Sequence, residues 1–282
     1  GVALADNRRQ LSNRPRPSLH CIPLWTAPHV RSGVMSLIEE YSQQYDWRAW
    51  PIIFDALPDL DGRLVLDLGC GIGDLAADLA ARGARVIGVD MNDELITYAK
   101  ERHIVNAQFR IGDLRTFRDP HIRADGIWSS FAAAYFPSPC DTIGSWLVHL
   151  RPGGWLALTE VDDLFGHQPL SNRTHELLNR YVEESLERSR YDFRMGRKLS
   201  GVLQQIGLVV THEFTVPDAE LSFSGPASPL VLEAWRTRFE RMHLLREFCG
   251  SEFEHVRNDF LNCLKRDDHS CHATVRCCIA SK

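Results

Sequence analysis

The sequence VLDLGCGIGD at residues 65–74 is the clearest indication of the fold, because an apolar run leads through three glycines into an Ala/Leu-rich segment that stops at Gly83. The run predicts a strand at Arg63–Leu68, and the segment after the glycines predicts a helix at Asp74–Arg82. Glycine is needed between them because such a turn has unusual backbone angles and a ligand must approach bare backbone there. The stretch therefore favours a ligand-binding strand–loop–helix unit.

The spacing of these glycines indicates what kind of ligand the loop accepts. A dinucleotide-binding loop reads G-x-G-x-x-G, whereas this loop has glycines at 69, 71 and 73 and a carboxylate, Asp74, at the third position of that pattern. A carboxylate at a helix N-terminus repels a pyrophosphate, so a cofactor without phosphate is favoured. No Gly-Lys-Ser/Thr follows, which excludes a Walker A loop. An NAD-dependent oxidoreductase remains an alternative.

Three acidic residues lie where predicted strands end. Asp67 precedes the glycines and could bind the ammonium of an amino-acid moiety. Asp90 ends the strand VIGVD at 86–90, the usual position of a carboxylate that binds ribose hydroxyls. Asp113, in the segment GDL at 112–114, can accept a hydrogen bond from an adenine amino group. The alternative is that these acids only cap helices or end strands.

Strands and helices alternate from residue 63 onward, which predicts an α/β fold with a parallel sheet covered on both faces. Residues 34–58 are predicted to be helical with a break near Pro51, and about 218–270 to form a helical insertion that covers part of the active-site mouth. Residues 1–33 are predicted to be a flexible N-terminal arm. The further strands are predicted at 85–89, 107–111, 126–130, 155–160, 208–215 and 273–280, and the further helices at 93–102, 142–150, 175–188, 198–205 and 230–265.

Four segments in this order resemble the class I S-adenosylmethionine-dependent methyltransferases: LDLGCGIGD at 66–74, GVD at 88–90, GDL at 112–114 and LRPGG at 150–154. The resemblance covers about residues 35–216. It implies a Rossmann-like, doubly wound sheet of seven strands, mostly parallel with an antiparallel last strand. It also implies S-adenosyl-L-methionine as cofactor, bound over the carboxyl ends of the strands, and S-adenosyl-L-homocysteine as product.

Carried over by position, the resemblance implies that Asp67 and the glycine loop hold the methionine part of the cofactor. Asp90 would hold the ribose, Met91 would pack on the adenine, and Ser130 would line the sulfonium side. The predicted cofactor-binding residues are Asp67, Gly69, Cys70, Gly71, Gly73, Asp90, Met91, Gly112, Asp113, Leu114 and Ser130.

Glu160 is the candidate catalytic residue, because it ends the fifth strand, and a hydroxyl or carbon acceptor needs a base. A structural role for Glu160 is the equal alternative. Asp162, Asp163 and His167 follow it and could bind a divalent ion, although a loop of solvated acids is the favoured interpretation. No metal site is therefore predicted.

The acceptor pocket is predicted to be partly aromatic, with Phe131 and Tyr135 after the fourth strand and Trp47 in a lid. Arg194 and Arg197 could receive an acidic group of the substrate, although a solvated charged segment is equally compatible with the pattern. The motif of methyltransferases that modify amino groups of adenine or glutamine is absent at 129–132. The nearest resemblance is to small-molecule methyltransferases of the quinone-biosynthesis and natural-product type.

Composition restricts the partners. A net charge of −5 argues against nucleic acid, and no apolar run approaches the roughly 18 residues of a membrane span. The eight cysteines form no regular disulfide framework, and no secretory signal is apparent, so reduced thiols and a cytoplasmic location are expected. A methyltransferase acting on protein or RNA stays possible on these grounds, and so does a non-catalytic module that binds the cofactor.

Overall fold

The computed structural model describes residues 36–282, so the predicted N-terminal arm and Cys21 lie outside the described residues. The strands are β1 (Leu64–Leu68), β2 (Arg85–Asp90), β3 (Ala107–Ile111), β4 (Ala124–Ser130), β5 (Leu150–Asp162), β6 (His167–Gln168), β7 (Val209–Val216), β8 (Ser270–Cys271) and β9 (Thr274–Ser281). The helices are α1 (Leu37–Asp46), α2 (Trp50–Asp55), α3 (Asp74–Ala81), α4 (Asp93–Glu101), α5 (Pro139–Trp146), α6 (Asn172–Glu187), α7 (Leu199–Gln205), α8 (Pro229–Arg241), α9 (His243–Cys249) and α10 (Phe253–Cys263).

Seven strands form one sheet in the order β3-β2-β1-β4-β5-β9-β7. The neighbours from β3 to β5 are parallel, and β9 runs antiparallel to both β5 and β7, between which it lies. This confirms the predicted mostly parallel, seven-stranded sheet with an antiparallel last strand. Residues of β1 and β4 are almost all buried, because helices cover both faces of the sheet.

Most predicted elements appear within a few residues of their expected bounds. Asn92 caps α4 as expected, since its side chain accepts a hydrogen bond from the Leu95 amide at 3.2 Å. The predicted helix at 34–58 is two helices, α1 and α2. Their break lies at residues 47–49, and Pro51 is in the first turn of α2, where a missing N–H costs nothing.

Three parts of the chain differ from expectation. The region predicted as one helical stretch at 230–265 consists of three helices, α8 to α10, separated by short turns. The paired strands β6 and β8 were not predicted, because two residues are too few to show a period of two. The helix predicted at 142–150 begins earlier, at Pro139, since a proline is favourable in the first turn.

Gly126 in β4 is a position where the fold leaves no room for a side chain. It pairs with Trp155 of β5, and a Cβ added at Gly126 would lie 2.1 Å from Trp155 Cε2. We expect Gly126→Ala to lower the free energy of unfolding by about 1–3 kcal/mol, as overpacked cores do. Urea unfolding measures the change.

The matched control is Gly201→Ala in α7, where an added Cβ meets no atom within 4 Å. That variant should be neutral or stabilising by up to about 1 kcal/mol, because alanine is the better helix former. If the free energy of unfolding changed equally in the two variants, the close packing of Trp155 against Gly126 would be contradicted.

Candidate cofactor and acceptor site

A cavity of about 320 Å³ opens at the carboxyl ends of β1, β2 and β4. This volume lies within the range of small-molecule sites, which is about 300–1,000 Å³. One half is formed by the glycine loop after β1 and by the segments after β2, β3 and β4. The other half is covered by α1, the segment around residue 191, and α8. In a sheet of parallel strands, such a crevice forms where the connections that follow two neighbouring strands lead to opposite faces of the sheet.

The glycine loop has the backbone conformation that its sequence predicts. Gly69, Gly71 and Gly73 have φ angles of +87°, +51° and +83°, which residues with a side chain rarely adopt. A Cβ at Gly71 would lie 3.0 Å from the ring of Tyr41, on the cavity side of the loop. Gly73 faces away from the cavity, where a Cβ would lie 2.8 Å from Phe109, so it serves the packing of α3.

Asp90 connects the end of β2 to the glycine loop. Its Oδ2 accepts a hydrogen bond from the Gly71 amide at 3.0 Å, and its Oδ1 accepts one from the Asn92 amide at 2.9 Å. Burial raises its pKa, although these amides oppose the shift. Asp90 lines the cavity, so its carboxylate is placed to meet a ligand on the loop.

Asp67 lies behind the glycine loop and is 1% exposed. Its Oδ2 has no hydrogen-bond partner among residues 36–282. Burial, together with the negative charge of Asp90, raises the pKa of Asp67 to about 8. Asp67 is not among the residues that line the cavity, so its contact with the methionine part of a cofactor stays a prediction.

Asp113 is held by the neighbouring Arg115 at the edge of the cavity. The guanidinium donates to both carboxylate oxygens, with Nη2 2.6 Å from Oδ2 and Nε 2.9 Å from Oδ1. This hydrogen bonding lowers the pKa of Asp113. Asp113, Leu114 and Met91 line the cavity, and Met91 is 56% exposed there. Gly112 does not line it, and a Cβ added there would lie 2.9 Å from Val89 Cγ1.

The segment after β4 lies between the two halves of the cavity. Ser130 lines the cavity and accepts a hydrogen bond from Trp128 Nε1 at 2.9 Å. Phe131 follows with a φ of +55°, and its ring meets the Trp50 ring edge-on at 6.3 Å. Cys70 also lines the cavity on the opposite side.

Aromatic side chains form much of the acceptor half. The rings of Tyr135 and Tyr191 meet edge-on at 4.8 Å, and Tyr191 in turn meets Phe193 at 4.8 Å. Tyr135 and Phe131 both line this cavity, and their contact with an acceptor stays a prediction. The lining residues of this half that the sequence did not indicate are Leu37, Glu40, Tyr41, Gln44, Tyr45, Arg48, Val161, Leu164, Tyr191, Phe193, Leu221 and Arg238.

Three predicted acceptor residues lie outside the cavity. Trp47 is partly buried against the core at the end of α1. Arg194 lies 4.0 Å from the Asp163 carboxylate, and Arg197 pairs with Asp162 at 2.6 Å. Both arginines thus pair with acids at the end of β5 or directly after it, so their positions do not support the predicted role in binding an acidic group of the substrate.

Glu160 lies beneath the segment after β4 and is fully buried. Its Oε1 accepts a hydrogen bond from the Ala134 amide at 3.0 Å, and its Oε2 lies 3.3 Å from the Val161 amide. Burial raises its pKa to about 8, and its charge contributes to the raised pKa of Tyr191. Tyr191 lines the cavity whereas Glu160 does not, so a catalytic role of Glu160 stays a prediction.

The acids at the end of β5 and directly after it are engaged with protein groups. Asp162 and Asp163 face Arg197 and Arg194, and His167 Nδ1 lies 3.0 Å from His269 Nε2 in a buried, stacked pair. Burial lowers the pKa of His167 to about 3. Within residues 36–282, no group of three or more metal-ligating side chains has a geometry that could hold an ion.

None of the helices that the structure describes in residues 36–282 has the length and apolar character required to span a membrane. The seven cysteines in this part of the chain are free thiols.

Comparison with known proteins connects this geometry to a family. Residues 65–154, from β1 into β5, match the family model described as a methyltransferase domain. The segment holds the glycine loop, Asp90 and Asp113, which are the residues on which the resemblance rested.

The chain is similar to two curated proteins over this region. It is 34% identical over 109 residues to a ubiquinone biosynthesis O-methyltransferase of Coxiella burnetii, covering 38% of this chain and 47% of that protein. It is 37% identical over 98 residues to a trans-aconitate 2-methyltransferase of Mycobacterium tuberculosis, covering 34% and 36%. The chain therefore spans less than half the length of the relatives it matches.

A similarity of fold extends further along the chain. The phosphoethanolamine N-methyltransferase 2 of Haemonchus contortus, solved with S-adenosylhomocysteine, aligns with 86% of this chain and 53% of its own. The TM-score is 0.53 at 18% identity, so this similarity concerns the fold alone.

Proposed function

We propose that this chain, which is a class I methyltransferase with S-adenosylmethionine as its cofactor, methylates an oxygen of a small aromatic molecule in an enclosed pocket. The observation that carries the proposal is one continuous cavity in which the glycine loop and Asp90 open into an aromatic chamber. The name of the Coxiella relative, an O-methyltransferase, agrees with oxygen as the acceptor.

The residues of the cofactor half suit this cofactor. Gly69 and Gly71 leave bare backbone at a point where a Cβ would come within 3.2 Å of Ala132 or 3.0 Å of Tyr41. Asp74 and Asp113 each pair with an arginine at 2.6 Å, whereas Asp90 accepts its hydrogen bonds from backbone amides. Among these three acids that line the cavity, Asp90 is therefore the one whose negative charge is not paired with an arginine. The cofactor carries a sulfonium, an ammonium and one carboxylate, so its net charge is positive. This positive charge complements the negative charge of Asp90.

The bound cofactor would supply an activated methyl group on its sulfonium. The protein must then hold the acceptor in line, exclude water and remove a proton, and positioning alone can lower a barrier by about 7–11 kcal/mol. The rings of Phe131, Tyr135 and Tyr191 would orient a planar acceptor, and α1 and α8 would keep water out.

We propose Glu160 as the general base for a hydroxyl acceptor. A pKa near 8 suits a base at neutral pH, and Glu160 lies close enough to Tyr191, which lines the cavity, for its charge to raise the pKa of that tyrosine. As the new O–CH₃ bond forms and the S–CH₃ bond breaks, the acceptor's proton would have to reach the Glu160 carboxylate across the wall that Tyr191 forms, because Glu160 itself does not line the cavity.

The experiment that tests the proposed function combines binding and turnover. We expect S-adenosylhomocysteine to raise the melting temperature at concentrations where NADH does not, since stabilisation follows RT ln(1 + [L]/Kd). With methyl-labelled cofactor, the label should pass to members of a panel of neutral phenols. A preference for NADH would instead indicate an oxidoreductase. Label found on protein or RNA would indicate a macromolecular acceptor, and label found on no acceptor at all would indicate a non-catalytic module that binds the cofactor.

The domain limits, an arm at 1–33 and an insertion at about 218–270, stay predictions. The cytoplasmic location that the reduced thiols indicate stays a prediction as well.

A further inference from the structure

Six charged side chains form a buried network behind the acceptor half of the cavity. Arg48 Nε lies 2.8 Å from Asp218 Oδ2, and Arg48 Nη2 lies 3.4 Å from Glu220 Oε2. Arg241 pairs with Glu40 at 3.0 Å, and Arg238 hydrogen-bonds Glu220. All six side chains are at most 9% exposed, and Glu40, Arg48 and Arg238 reach the cavity wall.

The network is balanced, with three arginines and three carboxylates. In a buried region with a low effective dielectric constant, an added charge is expensive unless a new counter-charge meets it. A carboxylate substrate placed beside Arg48 would also lie near Asp218 and Glu220, whose side chains are fully buried. A neutral substrate leaves the balance intact, so the network selects against anions as well as against cations.

Arg48 has hydrogen-bonding capacity left for a neutral ligand. Its Nε faces Asp218, its Nη1 donates to the Gln44 carbonyl at 2.9 Å, and its Nη2 faces Glu220. A guanidinium has five N–H donors, so these contacts leave one hydrogen on each terminal nitrogen for a further acceptor. The guanidinium lies 4.5 Å from the centre of the Phe131 ring, beside the segment where methyl transfer is proposed.

We propose that the methyl acceptor binds as a neutral aromatic molecule, with a carbonyl, ether or hydroxyl oxygen that accepts a hydrogen bond from Arg48. This substrate class rests on the proposed function, because it concerns the acceptor half of the same cavity. Arg48 is a specificity-determining residue in this arrangement, and Glu220 sets the charge around it.

The test compares two probes of nearly the same shape, 4-hydroxyacetophenone and 4-hydroxybenzoate. The first carries a methyl ketone where the second carries a carboxylate. Their affinities are measured by calorimetry on the full chain saturated with S-adenosylhomocysteine. We expect the ketone to bind at least tenfold more tightly than the acid. Equal or tighter binding of the acid overturns the proposal, and so does binding of neither probe. Failure to bind S-adenosylhomocysteine in the first place would instead overturn the proposed function.

Two variants test the cause of the preference. Glu220→Gln removes one negative charge and keeps an oxygen for the arginines, so the ratio of affinities should shift at least tenfold toward the acid. The matched control is Glu213→Gln. It makes the same change on β7, where Glu213 pairs with Arg276 of β9 away from the cavity, and it should leave the ratio of affinities as it is.

Arg48→Lys keeps the positive charge but loses the planar fork of donors. We expect it to weaken ketone binding about tenfold and to leave the affinity for S-adenosylhomocysteine unchanged. An unchanged ratio in Glu220→Gln, or unchanged ketone binding in Arg48→Lys, contradicts the roles given to these residues.

Discussion

Replacing Glu160 by glutamine should lower kcat for a hydroxyl acceptor by about 10²- to 10⁴-fold, the usual range for loss of a positioned general base. The change is nearly isosteric, and the amide oxygen that it introduces can still accept the Ala134 N–H, which lies 3.0 Å from the Glu160 carboxylate. The affinity for S-adenosylhomocysteine should stay the same, since Glu160 does not line the cavity. Single-turnover transfer of a labelled methyl group measures the effect.

The dependence of this rate on pH gives a second, independent measure. A base must be deprotonated to act, and the pKa of Glu160 is raised to about 8 by burial. The rate should therefore increase with pH up to about 8 and then level off. In Glu160→Gln the remaining rate should lose this increase.

Asp162→Asn is a suitable control for the same strand. Asp162 is a buried carboxylate two residues away, and its partner Arg197 lies outside the cavity. This variant should keep both the rate and its pH dependence. If Glu160→Gln retained the full rate across the pH range, Glu160 would be left with the structural role, in which its carboxylate supports the segment after β4 through Ala134.

The cofactor half of the site could be predicted because its determinants are local in sequence. The glycine loop, Asp90 and the segment at 112–114 each follow a strand that the apolar pattern reveals. Parallel strands then bring their carboxyl ends together whatever the rest of the chain does. The positive φ angles at Gly69 and Gly71 follow from the same local requirement.

The acceptor half could not be predicted in the same way, because its parts meet across long stretches of chain. Glu40 of α1 pairs with Arg241 of α8, a residue far along the chain, and no periodicity records such a pairing. Arg48 and Arg238 are likewise joined through Glu220. The sequence indicated that a helical insertion covers part of the active-site mouth and that the N-terminal helical region supplies a lid, but not which of their residues would meet.

The positions of Arg194 and Arg197 show that charged residues near a predicted active site do not by themselves locate a substrate's charge. The sequence places both cations near the predicted active site, but they pair with acids at the end of β5 and directly after it. Ion pairs of this kind form wherever opposite charges are brought close, so a cluster of arginines does not by itself indicate a substrate charge. The buried arginines, Arg48 and Arg238, lie in segments whose sequence is typical of an ordinary amphipathic helix, so the sequence does not distinguish them from surface arginines.

Replacing Asp90 by alanine should weaken the binding of S-adenosylhomocysteine by about 1.5–3 kcal/mol, roughly ten- to a hundredfold in Kd. Two losses contribute. The ribose would lose its proposed charge-assisted hydrogen bonds, and the amides of Gly71 and Asn92 would lose their acceptor. Calorimetric titration of the folded variant gives the affinity, and circular dichroism checks that the fold is kept.

Two further variants separate these losses. Asp93→Ala removes an exposed carboxylate three residues away at the start of α4, outside the cavity, and should leave the affinity unchanged. Asp90→Asn keeps an oxygen that one backbone amide can use but removes the charge, so its affinity should fall between those of the parent and Asp90→Ala. An Asp90→Ala protein that is folded and binds S-adenosylhomocysteine as tightly as the parent would show that the carboxylate at the end of β2 serves only the backbone of the loop, and the ribose would then have to be held elsewhere.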